Sequence, residues 1–93
     1  MRRLSAGLYP VATPIGNLGD ITHRAIEGLN NADLIICEDT RVTRKLLSRY
    51  AIATKSVSYN DHNAPRVLPG LMERLDRGDS LALVRDAGTP LIS

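Results

Sequence analysis

The 93-residue chain has a single cysteine, Cys37, so no internal disulfide can form. It has no Cys/His cluster with zinc-ligand spacing, and no metal is expected. One unpaired thiol fits a reducing cytoplasm. No apolar run approaches the roughly 18–20 residues of a membrane span. The apolar stretch behind Met1-Arg2-Arg3 is short and broken by Pro10 and Pro14, which argues against a signal peptide. Internal repeats and low-complexity tracts are absent, as are the G-x-G-x-x-G order and the G-x-x-x-x-G-K-[ST] loop. The net charge of +2 is too small to argue nucleic-acid binding by itself.

What is present is the composition of a globular domain: 43% hydrophobic and 24% charged residues. At this length folding removes roughly 60–70% of the chain's surface from water, enough for one small core. Residues 7–12 read as a first strand, with Pro10 a difficulty because proline cannot donate to a ladder. Asp20 is a suitable N-cap for a helix over about 21–30, with Ile21, Ala25, Ile26 and Leu29 on one face. Residues 33–37 form an apolar run suited to a strand buried on both faces.

Thr40 can cap a second helix over about 41–50, with Val42, Leu46 and Tyr50 stacked and Leu47 beside them. Residues 55–59 read as a third strand. Asn63 caps a third helix with Pro65 in its first turn and Leu68, Leu71, Met72 and Leu75 as its core stripe. Pro69 predicts a kink or a late start there, and Gly78 ends it. Residues 80–84 form a fourth strand.

Strands alternating with helices predict an α/β fold, a mostly parallel sheet with helices on both faces. Ligands of such sheets bind beyond the carboxyl ends of the strands. The chain stops soon after its fourth strand with no closing helix, so a fragment of a longer protein is expected.

Several segments at those ends bear two readings. The 13–20 loop is either a plain connection or a surface of backbone N–H groups for a polar ligand. Asp86-Ala87-Gly88-Thr89-Pro90 is either a capped tight turn or a place where ligand meets the backbone. Glu38 and Asp39 beside Thr40 and Arg41 either hold substrate or cap the helix behind them. That helix carries Arg41, Arg44, Lys45 and Arg49 with no acidic residue, a solvated face or a track for phosphates. His62 lies in a loop where a general base could stand, while His23 reads as exposed and Cys37 as core.

Four of these segments, in order, resemble a known family. Leu8-Tyr9 with residues 11–22, Cys37-Glu38-Asp39-Thr40-Arg41 with residues 43–47, Ser58-Tyr59 with His62-Asn63, and residues 86–90 with Ile92-Ser93 are similar to motifs of the bacterial 16S ribosomal RNA (cytidine-2'-O)-methyltransferases, a branch of the tetrapyrrole-methylase superfamily. Two positions depart from the pattern. Pro10 stands where a strand residue is usual, and Arg85 where a small residue, often serine, precedes the aspartate.

The resemblance implies a two-domain enzyme with S-adenosylmethionine in the cleft between domains, acting on 16S rRNA of the small ribosomal subunit as a cytoplasmic homodimer. By the match, Pro14, Ile15 and Gly16 border the cofactor, and Asp86, Ala87, Gly88 and Thr89 line its cleft. Glu38, Asp39, Thr40, Arg41 and Arg44 fall on the RNA side, and His62 and Glu38 are the local candidates for a base. With half the cleft missing, the chain is expected to be inactive alone. In a full-length enzyme, Asp86→Ala should weaken S-adenosylmethionine binding; wild-type affinity by calorimetry would count against this assignment.

Overall fold

The computed structural model describes residues 6–14 and 18–86. Its strands are β1 (Gly7–Thr13), β2 (Leu34–Cys37), β3 (Ser56–Ser58) and β4 (Ser80–Asp86). Its helices are α1 (His23–Asn31), α2 (Thr40–Arg49) and α3 (Ala64–Asp76), with a short 3-10 turn at Leu18–Asp20 before α1. The sheet order is β1-β4-β2-β3, and every neighbouring pair is parallel.

Parallel neighbours cannot be joined by tight turns, so a helix fills each crossover. The chain crosses the sheet one way from β1 to β3 and reverses to reach β4. Right-handed crossovers therefore place α1 and α2 on one face and α3 on the other. The core divides accordingly. Ala25 and Leu29 of α1 and Leu46 and Leu47 of α2 pack with Val11, Ile35 and Ala82. Leu71 of α3 packs with Leu34, Ile36 and Leu81. β2 is buried at every residue, as its unbroken apolar run predicts.

Pro10 sits inside β1, and register explains why it is tolerated. Gly7 N–H donates to Asp79 O across to the β4 side. Alternation then turns the backbone N–H groups of Gly7, Tyr9 and Val11 toward β4, and the position of Pro10 toward the other edge. The donor that proline lacks falls where the described residues offer no partner strand.

Helix ends differ from expectation by a residue or two. Thr22, not Asp20, caps α1, its hydroxyl accepting from Ala25 N–H at 3.1 Å. Asp39, not Thr40, caps α2. Asn63 holds the cap position of α3, but its side chain reaches back into the preceding loop rather than forward to the helix. α3 starts at Ala64 and runs on past Pro69.

Both later helices close in the same way. Gly78 (φ 95°) and Ala51 (φ 53°) take left-handed conformations. The next residues, Asp79 and Ile52, donate back to Arg74 O and Leu47 O at 3.0 and 2.9 Å. The far end of α1 has a distant cap, since Thr54 Oγ1 donates to Leu29 O at 2.8 Å.

Two core stripes are rotated from the expected ones. Val42 is 59% exposed, and Thr43 takes its place beside Leu46 and Leu47. On α3, Leu68 and Met72 are exposed, while Val67, Leu71 and Leu75 face the sheet.

The start of β4 is fastened by a reciprocal clamp. Asp33 Oδ2 accepts from Ser80 N–H at 2.8 Å and Ser80 Oγ at 3.2 Å. Asp33 N–H in turn donates to Ser80 O at 2.8 Å. Ser80 is fully buried, so water cannot replace the carboxylate. Asp33→Ala should destabilise the fold by about 1–3 kcal/mol in urea unfolding. Asp33→Asn, which keeps an acceptor, should lose clearly less; equal losses would refute the clamp.

Candidate functional site

The carboxyl ends of the strands bring the sequence motifs to one edge. Thr13 pairs with Asp86 and Ala12 with Arg85. Ile36 pairs with Leu83 and Cys37 with Ser58. Carried on along those ladders, Arg85 falls opposite Glu38, and Glu38 opposite Tyr59. Tyr59 N–H donates to Cys37 O at 2.8 Å, which extends the β2–β3 ladder past the end of β3. Alternation sets Ala12, Arg85, Glu38 and Tyr59 in a row on the α3 side of the sheet.

Of the residues assigned to a cofactor, Pro14 directly follows β1 and Asp86 ends β4. Ile15, Gly16, Ala87, Gly88 and Thr89 lie outside the described residues. The loops carrying both groups leave from adjoining strands, about 4.8 Å apart. Thr13, buried, donates from Oγ1 to Arg85 O at 3.3 Å and ties the two strand ends together. A concavity of about 470 Å³ beside the end of β1 is lined by Pro14, Asp20, Ile21 and Arg24.

The residues assigned to substrate divide. Glu38, Asp39, Thr40 and Arg41 share the wall of a second concavity, about 470 Å³, with Asn60 and His62. Glu38 and Asp39 also border a third, about 330 Å³, with Thr43, Tyr59 and Arg85. Arg44 lines neither and lies exposed on the outer side of α2 with Arg41, Lys45 and Arg49.

Asp39 and Arg41 hold each other. Asp39 Oδ1 accepts from Arg41 N–H at 2.9 Å and from Nε at 3.2 Å, and Oδ2 accepts from Nη2 at 3.1 Å. That guanidinium holds the Asp39 carboxyl below its ordinary range, and the carboxylate raises Arg41 in return. Arg49 lies over the Tyr50 ring at 5.8 Å. Cys37 is buried, which pushes its thiol up, partly offset by the Thr43 hydroxyl.

Sequence reasoning overlooked the scaffold of the His62 loop. Asn60 Oδ1 accepts from His62 N–H at 2.9 Å, and Asn63 Oδ1 accepts from Asn60 N–H at 2.8 Å. Asn63 Nδ2 donates to Ser58 O at 3.0 Å. These bonds fold the loop against Glu38, whose carbonyl accepts from Asn60 Nδ2 at 3.5 Å. The signal was in the sequence: two asparagines three apart, a residue type whose side chain bonds its own turn.

A family model described as Tetrapyrrole (Corrin/Porphyrin) Methylases matches residues 7–93. The chain is 55% identical over 92 residues to a Mesorhizobium japonicum protein named "Ribosomal RNA small subunit methyltransferase I", covering 99% of this chain and 31% of that protein. Relatives of the same name from Synechocystis and Rickettsia prowazekii are 56% and 50% identical, over 92% and 97% of this chain. The chain spans about a third of the length of these curated relatives.

The depressed Asp39 carboxyl has a definite pH signature. Its folded value lies below the ordinary 3.8, so its stabilisation is fully present above that value and is lost as pH falls through the folded one. Asp39→Asn keeps a good cap but cannot titrate. Acid unfolding followed by circular dichroism should therefore be less steep in Asp39→Asn than in the parent; identical curves would exclude this contribution.

Proposed function

The chain belongs to the tetrapyrrole (corrin/porphyrin) methylase family, and from that premise we propose that it is the N-terminal domain of an S-adenosylmethionine-dependent enzyme that methylates a ribose 2'-hydroxyl of 16S rRNA in the small ribosomal subunit. The observation that carries this reading is 50–56% identity, across nearly the whole chain, to relatives named for methylation of that RNA. The basic outer side of α2 supports it, because Arg41, Arg44, Lys45 and Arg49 suit a phosphate backbone. A homodimer and a cytoplasmic setting belong to the same proposal.

When bound, S-adenosylmethionine supplies a methyl group already made electrophilic by its sulfonium. Pro14, Ile15 and Gly16 from one loop and residues 86–89 from the other would hold it. The chain's own share is then orientation, keeping the ribose hydroxyl in line with the methyl carbon. The hydroxyl proton must also leave. Glu38 and His62, which line one concavity, are the local candidates to accept that proton, directly or through a water, with the rest of the longer protein as the other source of a base.

The test uses a protein of the relatives' full length, methyl-labelled S-adenosylmethionine and unmodified small ribosomal subunits. Label should appear in a ribose of the 16S RNA. Reversing charge at Arg41, Arg44 and Lys45 together should lower labelling by at least about tenfold while cofactor binding persists. Cofactor binding without RNA labelling would favour a methylase of tetrapyrroles or other small molecules. No cofactor binding at all would leave a non-catalytic α/β binding module.

A further inference from the structure

Arg85 is the cation that β4 brings to this edge. It stands at the second-last position of β4, and its side chain is exposed. It borders the concavity of about 330 Å³ together with Glu38, Asp39 and Tyr59. Register places it between Ala12 on β1 and the position of Glu38 beyond β2. Its backbone is held on the β1 side, by the ladder with Ala12 and by Thr13 Oγ1 on its carbonyl, while pairing with β2 ends at Leu83.

The described residues give the charge of Arg85 no partner, although Glu38 lies one strand away. The neighbouring cation Arg41 is by contrast bound to Asp39 in a two-point contact. A guanidinium offers a fork of donors that suits a phosphate. Here it stands near the end of β4, on the wall of a concavity that also presents Tyr59.

Resting on the function proposed above, we propose that Arg85 is a substrate-positioning residue that binds an RNA phosphate at the mouth of the Glu38–Tyr59 concavity. It adds one phosphate contact to those of the α2 face. It does so from the sheet rather than from the helix, so it fixes the register of the RNA along the carboxyl edge.

The experiment measures the affinity of the full-length protein for unmodified 16S rRNA across a series of KCl concentrations. Arg85→Ser should reduce the slope of log K against log salt by about 0.7–0.9, one phosphate contact, with S-adenosylmethionine affinity unchanged. Arg85→Lys, which keeps the charge, should restore most of the slope. If the serine variant does not fold, Arg85→Gln gives the same comparison with the side-chain length kept.

An RNA-binding parent whose slope is indifferent to Arg85→Ser would overturn the assignment. So would a lysine variant as defective in slope as the serine one. A parent that does not bind RNA at any salt would instead overturn the function itself, and this contact with it.

Discussion

β4 is the last described strand in the chain, yet it lies between β1 and β2, and the rest of the structure depends on its being paired there. Leu81 and Ala82 are fully buried, so their backbone groups have no water to turn to and must bond to strands on both sides. Double pairing leaves no freedom of register, since a slip of one residue would turn Leu81 and Ala82 to the wrong faces. The Asp33–Ser80 clamp starts that register at one end, and the Thr13–Arg85 bond closes it at the other. Ala12 and Arg85, 73 positions apart, come to one edge through this single insertion.

The electrostatic character of the edge follows from the same arrangement. Parallel strands all present their carboxyl ends together, and the α2 N-terminus begins beside them. Asp39 answers that helix end, and Arg41 answers Asp39. The acidic pair Glu38–Asp39 therefore sits inside a basic setting rather than forming an acidic patch. An edge of this kind can approach a polyanion while keeping carboxylates within it.

Much of the fold was legible because burial leaves a plain signature. The run from Leu34 to Cys37 has no polar residue, and only a strand covered on both faces buries all of it. Helix rotation was harder to read. On α3, the expected stripe and the observed one share Leu71 and Leu75, but Leu68 and Met72 are exposed and Val67 joins the core instead. Both satisfy helical spacing; only the side on which the crossover lands chooses between them. Thr22 and Asp20 pose the same problem at α1, two good caps two residues apart, decided by where Ala25 and Leu29 must reach the sheet. The motif residues of the edge were legible as types. Their grouping was not, because Glu38 meets Arg85 through strand order and Arg44 points away through helix phase.

The cap at the far end of α1 has a consequence for how the domain opens. Thr54, which holds Leu29 O, belongs to the link between α2 and β3, not to α1 or its own connection. The last turn of α1 and the 50–55 link are therefore one cooperative unit. Loosening the link releases the helix end, and fraying of the helix frees the link. Amide protons in these two segments, far apart in sequence, would exchange with solvent in step, while the β4 core beneath them stayed protected.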